Sequence, residues 1–146
     1  DPNTYVLNMD AGSIFNNLNL KGNLNVEKGH VYAHGIHLDT GDYAEWFEKE
    51  GDARPGDLIG LNKASGKARK YQAGDHFLGV YSTNPAIVTN AQTADEEMAR
   101  THLLVGLLGQ LDFDHSQTVI DGRMVKTLDG VYVGVLLSNG KVLIGR

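Results

Sequence analysis

Turn signals punctuate this chain every few residues: Pro55-Gly56-Asp57, Ala73-Gly74-Asp75, Ile120-Asp121-Gly122, Leu128-Asp129-Gly130 and Ser138-Asn139-Gly140. They alternate with short aliphatic and aromatic runs, among them Leu58-Ile59-Gly60-Leu61, Phe77-Leu78-Gly79-Val80-Tyr81, Val131-Tyr132-Val133 and Val142-Leu143-Ile144. Glycine supplies the positive φ that tight turns require, and Asp or Asn bonds the nearby backbone. With 18 glycines in 146 residues, mostly beside Asp, Asn or Lys, long helices have little room. The fold class is therefore mainly β, with the short strands closing into a small barrel or sandwich that removes exposed edges.

One or two short helices are expected within it. Thr93-Ala94-Asp95-Glu96 has the capping-box form, and Ala94, Met98 and Leu104 can share a helical stripe that glycine ends near Gly106. Val105 to Leu111 then reads as a buried strand. A second helix is expected from about Tyr43 to Glu50, ended by Gly51, because the residues between tolerate helix.

The first forty residues read differently. From Asn17 to Val26 the apolar side chains Leu18, Leu20, Leu24 and Val26 fall on one face of an extended segment and asparagines on the other. So narrow a face cannot bury its leucines by itself, and copies of the same chain would supply the missing surface. The expected organisation is a trimeric β-stem over residues 1–40 and a compact head over 41–146, with an ordinary edge hairpin as the other reading of the stem. The abrupt start at Asp1-Pro2 is what a piece of a longer chain would show.

Composition narrows the function. A formal net charge of -5 offers no basic stripe for phosphate backbones, so nucleic acid is not an expected partner. The basic residues Lys63, Lys67, Arg69 and Lys70 cluster beside acids, as a solvated hairpin would. Without cysteine there are no disulfides or thiolate metal sites, which fits a reducing compartment. No apolar run is long enough to span a bilayer, and the N-terminus lacks a signal-peptide pattern.

Nucleophile and cofactor motifs are missing as well. Gly66-Lys67 has the wrong spacing for a phosphate loop, with Ala68 where Ser or Thr is needed. No Gly-x-Ser-x-Gly elbow surrounds Ser13, Ser65, Ser82, Ser116 or Ser138, and Ser82 reads as a strand end entering a loop. His30 and His34 would share a strand face while His37 points away, so a metal ion is not expected within one chain; only a trimer axis would gather these imidazoles. No cofactor is implied.

Carboxylates remain. Gly41-Asp42-Tyr43-Ala44-Glu45-Trp46-Phe47-Glu48 sets two acids three residues apart among aromatic rings, including the single tryptophan. Apolar surroundings favour the neutral carboxyl, which suits general acid and base work. One such group would activate water or assist attack on a strained peptide bond while its partner donates to the leaving amide. A single intramolecular turnover is the natural outcome, because covalent attachment supplies a high effective concentration. The same Asp42–Glu45 spacing is also a helix capping box, so both readings stand. Trp46 stacking on a sugar in a carbohydrate-binding or hydrolytic β-domain is a further class.

The Asp42-Tyr43-Ala44-Glu45 motif, followed by Arg54-Pro55-Gly56-Asp57, Gly74-Asp75, Leu78-Gly79-Val80-Tyr81-Ser82-Thr83-Asn84-Pro85 and Val105-Gly106-Leu107-Leu108-Gly109-Gln110, resembles a known family. It is similar, over about residues 38–146, to the C-terminal intramolecular chaperone and autoproteolytic domain of bacteriophage tailspike and neck-appendage proteins, a glutamic-type peptidase. The resemblance implies a domain that trimerises the chains, holds them in register while the β-helical shaft upstream folds, and then cuts itself away. It implies Asp42 and Glu45 as the acidic pair and Gly41–Asp42 as the cleaved bond, where the family can carry serine before the aspartate. It further implies a tail-fibre or appendage component of the virion, assembled in the host cytoplasm, with a host surface receptor as an outside partner. The alternative is a non-cleaving trimerisation cap or receptor-contacting fibre tip built on the same motif.

Overall fold

The structure is a computed structural model and describes residues 19–145. The chain divides into a unit through Ile36 and a unit from His37, just ahead of the expected boundary. The described part of the first unit contains bends but no strand or helix, and Leu20, Leu24 and Val26 are exposed on it. Leu18, expected on the same face, lies outside the described residues.

The second unit is one ten-stranded, mostly antiparallel sheet. Its strands are β1 (Asp42–Glu48), β2 (Leu58–Leu61), β3 (Ala68–Lys70), β4 (His76–Tyr81), β5 (Ile87–Thr89), β6 (His102–Leu111), β7 (Thr118–Asp121), β8 (Met124–Thr127), β9 (Tyr132–Leu136) and β10 (Val142–Ile144). The helix α1 (Asp95–Thr101) precedes β6, and a single 3-10 turn, His115–Gln117, precedes β7. The mainly β class with a barrel-like head read from the turn spacing is what the chain adopts.

Strand β6 organises the sheet. Gly106 pairs with both Ala44 of β1 and Val80 of β4, and Gly109 pairs with both Asp42 of β1 and Ile144 of β10. Strands β4 and β10 therefore follow one another along one edge of β6, with β1 on the other. Two wings grow from that shared edge, β4-β2-β3 and β10-β9-β8-β7. They curl toward each other around Leu58, Val80, Leu111, Phe113, Val125, Val133, Val142 and Ile144. Polar bonds help to close the wings: Tyr71 Oη donates to the Asp129 carboxylate, and Leu58 N–H to Gln117 Oε1.

Two local expectations are corrected. Residues 43–50 are not a helix, because Asp42, Ala44 and Trp46 are buried while Tyr43, Glu45 and Phe47 are half-buried, an alternation with period two. A ladder to β6 running from Asp42↔Gly109 to Glu48↔His102 outweighs local preferences worth only tenths of a kcal/mol, roughly, per residue. The capping box at Thr93 does not form either. The helix starts after Ala94 with no side-chain cap, although Asp95, Glu96 and Glu97 still complement its dipole. It stops at Thr101 because β6 claims the chain from His102, and Leu104 packs against Met98, Ala44 and Trp46 from the strand.

Candidate functional site

The two Gly-Asp turns that follow the motif are built alike. Asp57 N–H bonds Arg54 O and Asp75 N–H bonds Gln72 O, each closing a four-residue turn with glycine at φ 85° or 94° in its third position. Each aspartate then accepts the backbone N–H of the first turn residue, Arg54 or Gln72, on its own carboxylate. These buried aspartates are fully engaged, Asp57 by its own turn and Gln117, and Asp75 by its own turn and Arg69. They are structural.

Asp42 is placed differently. It begins β1, its side chain is buried on the same face as Ala44 and Trp46, and the preceding Gly41 is exposed. The Gly41–Asp42 peptide lies in a cleft of about 800 Å³ walled by Leu38 to Thr40, Tyr81 to Asn84 and Gln110 to Asp114. Ser82 Oγ donates to Asp42 Oδ2 at 2.6 Å, and Ala86 N–H donates to the Asp42 main-chain oxygen at 2.8 Å. On the other side of the peptide, Gln110 N–H reaches Gly41 O at 3.4 Å. The residue that follows the candidate bond is held tightly, and the carbonyl that precedes it has one long, polarising contact.

Glycines create the space for this arrangement. A Cβ on Gly109, which has φ 112°, would stand 2.0 Å from Gly41 O and 2.9 Å from Asp42 Cα. One on Gly106 would stand 2.1 Å from Leu111 Cδ2 and 3.2 Å from Asp42 Oδ2. Glycine inside a strand marks close backbone approach, which is the signal that points to Gly106 and Gly109 in the sequence.

Glu45 is on the opposite face of β1 from Asp42. Tyr43 Oη donates to Glu45 Oε1 at 2.6 Å, so Thr89 Oγ1, 2.9 Å from the same phenol, donates to it in turn. Asn90 Nδ2 lies 3.4 Å from Glu45 Oε2. A single chain thus does not bring the two acids of the motif together. Neither caps a helix, since both belong to a strand. Ser82, read from sequence as a strand end, is that and also the partner of Asp42. The exposed His30, His34 and His37 join no group of three or more metal-binding side chains among the described residues.

The sequence profile of Peptidase_G2, the IMC autoproteolytic cleavage domain, matches residues 1–100. The chain belongs to that family. The Peptidase_G2 match takes in Gly41, Asp42, Glu45 and Ser82, and it extends through the N-terminal unit, which the motif resemblance from residue 38 onward had left out. It ends before β6, so Gly106, Gly109 and Gln110 complete the cleft from outside the matched segment. Among curated proteins no match reaches significance. Among solved structures, the crystal structure of the pre-mature bacteriophage phi29 gene product 12 superposes with a TM-score of 0.59 at 21% sequence identity, covering 81% of this chain and 24% of that one. That likeness concerns the fold, and the chain spans about a quarter of the phage protein's length.

Proposed function

We propose that this Peptidase_G2 chain is the self-releasing intramolecular chaperone of a phage tail fibre or appendage. It trimerises, assists folding of a β-helical shaft upstream on the same polypeptide, and separates by cutting Gly41–Asp42 during assembly in the host cytoplasm. Family membership supports autoproteolysis, and the fold shared with a phage gene product supports the setting. The observation that carries the choice of bond is the exposed Gly41 joined to a buried, clamped Asp42 in an open cleft.

In this reading water attacks the Gly41 carbonyl carbon and the bond to Asp42 nitrogen breaks. A carboxylate takes a proton from the water, and a proton is delivered to the departing nitrogen. The products are a Gly41 carboxylate and an Asp42 amine. Gln110 N–H is aimed at the oxygen on which charge develops and would shorten its contact as the tetrahedral centre forms. Asp42 is the acid beside the bond, while Glu45 faces away. A neighbouring copy in the trimer would have to supply Glu45, which ties cutting to assembly. The unpaired Leu20, Leu24 and Val26 support that assembly, because only added surface would cover them.

The test is a denaturing gel of the chain with its upstream segment. Two fragments meeting at Gly41–Asp42, abolished by Asp42→Ala and by Glu45→Ala, are expected. Co-expressed Asp42→Ala and Glu45→Ala chains should regain partial cutting if the acids act between copies. An uncut trimer would favour the second reading, a non-cleaving cap or receptor-contacting tip, to which the opposite facing of the two acids and the glycine at position 41 also lean. A stable monomer by light scattering would remove both.

A further inference from the structure

Asp42 would be of little use at the bond if its carboxylate were free to rotate into solvent. Among the described residues a single side chain donates to that carboxylate, Ser82 Oγ, and both residues are more than nine-tenths buried. Ser82 is itself fixed, because its N–H bonds Leu104 O of β6 at 3.0 Å. Four residues on, Ala86 N–H grips the Asp42 main-chain oxygen. The segment from Ser82 to Ala86 therefore holds Asp42 at both its side chain and its backbone, and anchors it to the strand whose Gln110 N–H faces Gly41 O. Oδ2 is the oxygen that Ser82 engages.

We propose that Ser82 is a positioning residue for self-cleavage, fixing the Asp42 carboxylate against the Gly41–Asp42 peptide. This rests on the reading of that peptide as the bond that is cut. Ser82 Oγ directs its proton at Asp42 Oδ2, and in this proposal it acts on the peptide through the aspartate it holds. Misplacement of a reacting group by about 1 Å costs on the order of 100-fold in rate, which sets the scale of the effect.

The experiment is a pulse-chase of the full chain in cell-free translation, following fragment appearance by gel. Ser82→Ala should slow cutting by about 10–100-fold. Ser82→Thr, which keeps the hydroxyl, should recover most of that loss. Ser82→Val, with threonine's shape and no hydroxyl, should stay slow. Circular dichroism of each purified variant confirms folding, and a thermal double-mutant cycle of Ser82→Ala with Asp42→Ala reads the contact without catalysis. Wild-type cutting with a fast Ser82→Ala, equal recovery by Val and Thr, or additive melting shifts would each overturn the positioning role. A wild type that never cuts would overturn the cleavage reading, and the proposal with it; that result differs from the others because the reference chain itself fails.

Discussion

Ser82 and Asp42, 40 residues apart in sequence, meet in a buried hydrogen bond of 2.6 Å. The contact joins the end of β4 to the start of β1, two strands that do not pair but flank β6 on opposite edges. Between them on β6 lies Gly106, opposite both Ala44 and Val80. A Cβ at Gly106 would stand 3.2 Å from Asp42 Oδ2, so the glycine leaves room for the carboxylate that Ser82 reaches.

Gly109→Ala should be the most damaging single methyl in the head. The new Cβ would fall 2.0 Å from Gly41 O, and φ 112° is strained for any residue with a side chain. Overpacking and backbone strain together predict a loss of about 2–4 kcal/mol. Urea unfolding would register it as a lower midpoint at unchanged slope. Cutting should slow in parallel, because the methyl pushes the Gly41 carbonyl off Gln110 N–H.

Met98→Ala should loosen α1. Met98 is the one buried residue of that helix, and it packs with Ala44, Trp46 and Leu104. The expected cost is about 2–5 kcal/mol. Trp46 reports it directly: it is the single tryptophan, 6% exposed, and its Nε1 has no hydrogen-bond partner. Emission should be blue-shifted in the native chain and move to the red in the variant as water reaches the indole.

The turns were legible because their chemistry is local. Asp57 and Asp75 bond the backbone three residues back, so their spacing is written in four consecutive residues. The strand β1 was not legible for the opposite reason. Asp42 and Glu45 imitate a cap, Ala44 and Glu48 tolerate helix, and the partner that decides the matter begins at His102. The acidic motif itself was visible, but that its two members face apart follows from strand geometry, and the role of Ser82 follows from a fold-back that no local pattern encodes. Gly106 and Gly109 left a trace, as glycines within an otherwise apolar run.

Tyr71→Phe should open the seam between the wings. Tyr71 Oη bonds the Asp129 carboxylate at 3.0 and 3.1 Å, and its loss predicts about 0.5–1.5 kcal/mol. Burial, followed by the neighbouring Asp129 carboxylate, holds the phenol above its ordinary value of 10.0. Stability linked to this group is complete below the unfolded value and is lost as pH rises through the higher folded value. The alkaline decline in melting temperature should therefore be shallower in the phenylalanine variant, as a melting series from pH 8 to about 11 would show.

Asp75 contributes on the acid side. The Arg69 guanidinium, bonded at 2.7 and 3.0 Å, and then Gln72 N–H hold its carboxyl below the ordinary value of 3.8 against the opposing pull of burial. Because the folded value is depressed, the stabilisation is present above the unfolded value and disappears as pH falls through the folded one. Gly60 leaves the room for this pair, since a Cβ there would stand 2.7 Å from Asp75 Cβ. In Arg69→Ala the carboxyl loses its main charged partner and takes up its proton at higher pH, so the acid unfolding midpoint should move upward. Asp75→Asn should instead remove this group's share of the acid dependence while lowering stability at neutral pH, because the amide cannot pair with the guanidinium. A circular-dichroism titration of the three chains from pH 7 to about 2 separates the outcomes, and coincident curves for wild type and Arg69→Ala would show that the pair does not set the acid limb.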